Sequence, residues 1–310
     1  MPKVSVIIPV YGVEQYIERC AKSLFEQTLD DIEFLFIDDC TPDSSILILN
    51  RVLQDYPHRI PSVRIIRMEK NSGQAAVRSR GMYLSTGDYI IHCDSDDWID
   101  KTMYEQMYSV AVSKKCDCVI CGYTRSDGIN TIETIFEKVT DSIFEDLLSH
   151  KISYSLCNKM YRKDTFDGTS FIAPKGNMGE DLIINLQLAK NVSRAAVVNE
   201  SLYFYYKNIG SICLTPTKES AINRFIQSSK NVTVLLDFFK SSNIYDKYKA
   251  SVISLIARKR VWLVPFLQDD ECYALWKNSF SEINRDLLLN IHVPLKEKLR
   301  FILNYLKIKI

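Results

Sequence analysis

The sequence predicts an α/β protein built on a largely parallel sheet with helices on both faces. Three observations predict it. Short β-branched apolar runs alternate with amphipathic helical stretches over roughly the first 125 residues. Three of these runs stop abruptly in polar clusters, at Pro9-Val10-Tyr11, Asp38-Asp39 and Asp94-Ser95-Asp96. Parallel strands carry such ends to one edge of a sheet, where α/β proteins bind their ligands.

The elements follow in order. Residues 4–9 are β-branched and apolar and read as a buried first strand. Pro9 and Gly12 turn the chain, and Ile17, Cys20, Ala21, Leu24 and Phe25 then recur at helical spacing. Residues 32–37 form a second strand, 45–54 a helix, 63–68 a third strand and 74–84 a helix of small residues. The strand beginning at Tyr89 runs into Asp94, Asp96 and Asp97. Residues 101–114 read as helix and 118–123 as strand. Asp127-Gly128 marks a turn. Strands over 195–198 and 202–206 complete a domain ending near residue 212, with its halves divided near 125. Residues 213–310 read as a helical extension.

Composition narrows the function classes. A net charge of +1 over 310 residues gives no reason to expect nucleic acid as partner. Met1-Pro2-Lys3 runs straight into a strand, so the expectation is a cytoplasmic protein without a secretory signal. The best apolar stretch, 252–267, is broken by Arg258-Lys259-Arg260 and does not read as a membrane span. Nine cysteines without framework spacing read as free thiols. Cys116, Cys118 and Cys121 lie close together, but strand alternation points them to different faces, against zinc. Without a signal, the triplets beginning at Asn191, Asn199 and Asn231 read as chance matches to the glycosylation pattern. There is no Gly-x-Gly-x-x-Gly after the first strand and no Gly-Lys-Ser/Thr loop, which argues against ordinary dinucleotide and P-loop sites.

Two stretches carry chemistry. In the first, three carboxylates within four residues repel one another unless a cation sits among them. Their oxygens are hard donors suited to Mg²⁺ or Mn²⁺. The bland alternative is a solvated acidic turn capping the next helix. In the second, Lys175-Gly176-Asn177-Met178-Gly179 is a flexible loop that delivers Glu180 and Asp181 to the first turn of a helix. Acids there can simply complement the helix dipole. His92, on a buried strand, reads as a packed histidine.

Ser5-Val6-Ile7-Ile8-Pro9-Val10-Tyr11, Ile37-Asp38-Asp39, Asn71-Ser72-Gly73-Gln74 with Arg78, Gly87-Asp88-Tyr89 and Asp94-Ser95-Asp96-Asp97 occur in this order. Together they resemble the family 2 glycosyltransferases with the GT-A fold, of the bacterial surface-polysaccharide type. The resemblance implies an inverting enzyme that moves a sugar from a nucleoside diphosphate, a UDP-sugar foremost, to an acceptor hydroxyl. It implies donor contacts from Pro9, Val10, Tyr11, Asp39, Arg78, Asp94 and Ser95. Tyr11 would lie against the base and Asp39 would accept hydrogen bonds from it; otherwise Asp39 caps a turn with Thr41 and Ser44. Arg78 would approach the diphosphate or hold the acidic loop. Asp96, with Asp94, would ligate Mn²⁺ or Mg²⁺, Asp94 would contact ribose or help order the loop, and Asp97 would cap or support. Asp181 matches the family's base, with Glu180 positioning it. Gly12 departs from the Asn that many relatives carry there. Asn158, Lys159 and Arg162 would face acceptor or phosphates, or be surface residues.

The acceptor expected is a saccharide or lipid-linked saccharide. Within 294–310, Leu295, Leu299, Ile302, Leu303 and Leu306 share one helix face while Lys296, Lys298, Arg300, Lys307 and Lys309 lie mostly elsewhere. Such a helix either docks on its own domain or rests on the inner membrane surface. The competing functions are a sugar nucleotidyltransferase, disfavoured by the missing basic Gly-rich loop, and an inactive nucleotide-sugar-binding scaffold.

Overall fold

The computed structural model describes residues 1–207 and 217–307. It divides into two compact units: Met1–Ala173 with Ile184–Asn208, and Pro174–Ile183 with Ile209–Ile310.

The first unit is a mixed sheet and its covering helices. The strands are β1 (Val4–Val10), β2 (Ile32–Asp38), β3 (Val63–Arg67), β4 (Tyr89–His92), β5 (Trp98–Ile99), β6 (Cys118–Ser126), β7 (Thr131–Ile135), β8 (Lys159–Arg162) and β9 (Ala195–Tyr206). Their order is β3-β2-β1-β4-β8-β6-β9-β5, with β7 paired to β6. The strands β3, β2, β1 and β4 are all parallel, and Val4 stands opposite both Ile32 and Tyr89. That arrangement carries Val10, Asp38 and the end of β4 to one edge, as the sequence predicts.

The helices α1 (Ile17–Phe25), α2 (Ser45–Gln54), α3 (Gln74–Leu84), α4 (Met103–Lys114), α5 (Ile143–Leu148) and α6 (Asp164–Asp167) belong to this unit. On one face Val4, Val6, Ile8 and Val10 of β1 join Phe34 and Phe36 of β2 and the apolar stripe of α1 in one core cluster. On the other face α3 lies directly on β1. A Cβ at Gly81 would fall 2.3 Å from Cγ2 of Ile7, so only glycine permits that approach.

Three differences from the sequence reading have physical causes. The two strands expected over 195–206 are one strand, β9. Its pairing jumps from Cys121↔Val198 to Gly122↔Ser201, so Asn199 and Glu200 bulge out and read as a break. The polar turn at Asp127-Gly128 joins β6 to a second strand, β7, whose residues are mostly exposed and so lack an apolar run. The strand β8 was hidden by Lys159. That lysine is buried and pairs with Glu137 at 3.0 Å, with Asn158 and Ser155 accepting its other hydrogen bonds. Asn158 itself donates to the Cys121 carbonyl at 3.0 Å. Asn158 and Lys159 therefore hold the interior together, while Arg162 pairs with Asp117 at 2.9 Å.

Helix α7 (Glu180–Ala189) begins in the second unit and ends in the first. Among the described residues the second unit also holds α8 (Lys218–Ser241), α9 (Tyr245–Arg258), the 3-10 helices Lys259–Phe266 and Ser281–Ile283, α10 (Asp270–Asn278), α11 (Asn284–Leu289) and α12 (Leu295–Tyr305). After α9 the chain changes to 3-10 geometry at Lys259, before Pro265.

Candidate active site

The site in the first unit is assembled where β1, β2 and β4 end. The Asp39 amide donates to the Val10 carbonyl at 3.0 Å, which closes β2 onto β1. The Asp39 carboxylate is buried and accepts from the amides of Ser72 at 2.7 Å and Gly73 at 2.8 Å. Gly73 takes φ +83° and caps α3, so Asp39 sits at the positive end of that helix. The turn with Thr41 is capped by Asp38 instead, which accepts from the Thr41 amide at 2.8 Å.

The neighbouring loop is tied down by Asp43. Burial opposes its charge, but hydrogen bonds from Ser45, Thr41 and the Glu14 amide hold its carboxyl down at about 2. Gly12 donates to the Thr41 hydroxyl at 2.8 Å and takes φ +67°. Asn, like glycine, tolerates that left-handed geometry. Tyr11, half exposed, stands at this edge. Pro9 and Val10 complete the end of β1.

The acidic loop is braced from three sides. Arg78 on α3 is buried and pairs with Asp94 at 2.8 Å. The Asp94 amide donates to the Tyr203 hydroxyl at 3.1 Å, and that hydroxyl donates to Asp97. The Tyr206 amide donates to the other Asp97 oxygen at 2.7 Å. Arg19 on α1 donates to the Asp96 carbonyl at 2.8 Å, with its guanidinium 3.8 Å from the Trp98 ring centre and 4.8 Å from that of Tyr206. Ser95 is buried within the loop. Arg78 thus takes the loop-holding role, and Asp97 supports from inside.

Burial, reinforced by Asp94, pushes the Asp96 carboxyl up to about 6. Burial, then Asp96 and Asp94, raises Asp97 well above the carboxylate range. A divalent cation beside Asp94 and Asp96 would offset this crowding. Among the described residues no group of three or more potential metal ligands forms a cage. Two carboxylates fit a Mg²⁺-like ion that completes its shell with substrate phosphate and water. His92 is buried, with neither ring nitrogen hydrogen-bonded; burial first, and Arg78, hold it well below the usual imidazole value, as a packed neutral residue. Cys116, Cys118 and Cys121 are buried free thiols.

Glu180 and Asp181 form the first turn of α7, in the second unit. Gly179, at φ +76°, turns the chain into the helix, and Glu180 is buried. The sequence reading missed Arg19 and Tyr203. Arg19 sits in an ordinary amphipathic helix, and Tyr203 in a tyrosine-rich strand, so neither carries a local signal.

Residues 5–174 match the family model described as glycosyl transferase family 2. The chain belongs to this family. It is therefore a glycosyltransferase by descent. It is 27% identical to an uncharacterized glycosyltransferase, EpsJ, of Bacillus subtilis, over 98% of this chain and 84% of that one. It is 30% identical to the glycosyltransferase GlyA of Streptococcus pneumoniae, over 75% of this chain and 34% of that one. Among solved structures, Staphylococcus aureus TarS in complex with UDP superposes with a TM-score of 0.60 at 18% identity, covering 97% of this chain and 78% of that one. This likeness establishes the GT-A fold with a C-terminal helical region.

Tyr203→Phe removes the hydroxyl shared by the Asp94 amide and Asp97. It is expected to cost about 1–3 kcal/mol, the price of a buried polar group losing its partner. Urea unfolding measures this, and an unchanged midpoint would remove Tyr203 from the brace.

Proposed function

We propose that this family 2 glycosyltransferase is inverting and metal-dependent, and that its donor is a nucleoside-diphosphate sugar, a UDP-sugar foremost. The observation that carries the reading is the convergence of Tyr11, Asp39 and the braced Asp94–Asp96 loop at the ends of three parallel strands. Solved complexes of TarS with UDP and with UDP-GlcNAc support the donor class. A mannosyltransferase from Pyrobaculum calidifontis, solved with GDP-Man and Mn²⁺, supports the metal; its TM-score is 0.54 at 13% identity.

In this reading Tyr11 lies against the base and Asp39 recognises its edge. Pro9, Val10 and Ser95 shape the donor cradle. Arg78 holds Asp94 toward the donor. Asp96 with Asp94 would hold Mn²⁺ or Mg²⁺, which neutralises the departing diphosphate. Asp181 accepts the proton of the acceptor hydroxyl as that oxygen attacks the anomeric carbon and the bond to the diphosphate breaks. Glu180 positions Asp181. A single in-line displacement inverts the anomeric centre.

The acceptor we propose is a saccharide, free or lipid-linked, met at the inner face of the membrane. No helix among the described residues is long and apolar enough to cross a membrane. Helix α12 docks through Phe301, which stacks on Trp276 at 5.3 Å, and through Glu297, which accepts from Arg258 at 2.9 Å. Its apolar stripe faces outward: Leu295 is 70% exposed, Leu299 50%, Ile302 41% and Leu306 59%. Lys296, Arg300 and Lys307 flank that stripe on one side and Lys298 on the other, while Lys309 lies outside the described residues. An apolar stripe edged with bases suits an anionic lipid surface.

Asp181→Asn is expected to lower turnover by about 10²–10⁴-fold. The assay is UDP release from UDP-glucose or UDP-N-acetylglucosamine, with calorimetric UDP binding unchanged. Near-normal turnover would remove Asp181 as the base. The protein is also expected to sediment with phosphatidylglycerol vesicles but not phosphatidylcholine vesicles, and Leu299→Glu to abolish this. A wild-type protein that stays in solution with both would exclude the membrane contact.

A further inference from the structure

The loop that delivers Glu180 and Asp181 is held by the helical extension, the part of the chain in which the sequence shows no motif. Within the second unit, Asn231 on α8 is completely buried. Its side-chain oxygen accepts from the amides of Lys175 at 2.9 Å and Gly176 at 3.1 Å. Its side-chain nitrogen donates to the carbonyls of Gly176 at 2.9 Å and Met178 at 3.1 Å. One asparagine thus satisfies backbone groups of three residues of the loop.

The contact is too close for any residue but glycine at 176. A Cβ there would fall 1.9 Å from the Gln227 carbonyl oxygen on α8. Gln227 also accepts from the Asn177 amide at 3.3 Å through its side chain. At the far end of the loop, Lys259 begins the 3-10 helix. Its Nζ lies 2.9 Å from where a side chain at Gly179 would begin. Burial draws the Lys259 ammonium down to about 8, and the charge of Glu180 opposes that fall. The Lys259 Nζ therefore lies against the backbone of Gly179, the residue before Glu180.

We propose that Asn231 and Lys259 are positioning residues for the Glu180–Asp181 pair: Asn231 clamps the loop that delivers it, and Lys259 sets its cation against Glu180. This rests on Asp181 being the base. A base must stand within hydrogen-bond reach of the proton it takes. A displacement of about 1 Å can cost on the order of 10²-fold in rate. A loop with two glycines does not hold such a position by itself. The clamp also gives Asn231 a role other than glycan acceptance, because its amide is buried and already engaged.

The test compares Asn231→Ala, Lys259→Met, Lys259→Arg and Asp181→Asn in the full chain. Turnover is read as UDP release from UDP-glucose or UDP-N-acetylglucosamine, and loop order as amide hydrogen exchange over 175–178. Asn231→Ala is expected to speed that exchange about tenfold, the loss of one hydrogen bond's worth of protection. It is expected to lower kcat on the order of 10²-fold with KM for the UDP-sugar unchanged. Lys259→Met, which keeps a long apolar stem, is expected to lower kcat with the same KM, and Lys259→Arg to restore part of it. Unchanged exchange in Asn231→Ala overturns the clamp whatever the activity. Normal kcat in Asn231→Ala and Lys259→Met, beside an inactive Asp181→Asn, overturns the positioning role and leaves the base in place. Full activity in Asp181→Asn removes both.

Discussion

The structure depends on keeping Asp94, Asp96 and Asp97 together in a folded loop. Two like charges about 4 Å apart repel by about 4 kcal/mol at an effective dielectric of about 20. A loop of this kind splays unless each carboxylate is answered. Here each is answered differently. Asp94 has the buried Arg78, Asp97 has Tyr203 and the Tyr206 amide, and Asp96 has the charges of Arg19 and Arg78 against its burial and Asp94. The division leaves Asp97 to the scaffold and Asp94 and Asp96 as the pair proposed to hold a cation. The elements that supply the answers explain much of the topology. Helix α3 must lie close on β1 to present Arg78, which is the reason for Gly81. Strand β9 must bulge at Asn199-Glu200 before continuing beside β5, where Tyr203 and Tyr206 reach the loop.

The donor half of the fold was legible because its signals are local. Apolar runs that end in acids announce the strands, and parallel order brings their ends to one edge without further information. Asp39 illustrates the limit. Its place at the edge is readable, but its grip on the Ser72 and Gly73 amides is a contact across 33 residues that no periodicity reports. Arg19 and Tyr203 were illegible for the same reason: their partners lie 77 and 109 residues away in sequence. Strand β8 was hidden because a buried lysine reads as solvent-facing until Glu137 is seen beside it. The exposed face of α12 was half legible. The sequence shows the stripe, and only the packing of Phe301 and Asn304 shows that it turns outward.

The extension changes meaning once its contacts are known. Its helices carry no chemistry in sequence, yet Asn231 and Gln227 of α8 hold the backbone that precedes Glu180. The residues proposed to bind donor and those proposed to take the acceptor proton belong to separate compact units.

The most direct test of the account is titration calorimetry of UDP binding with Mn²⁺ and with a chelator, on the wild type and on Asp96→Ala. The account predicts that Mn²⁺ tightens UDP binding at least about tenfold, equivalent to about 1.4 kcal/mol, and that Asp96→Ala abolishes the Mn²⁺ effect without unfolding the protein. Equal affinity with Mn²⁺ and chelator, or an undiminished Mn²⁺ effect in Asp96→Ala, would contradict the metal–diphosphate site.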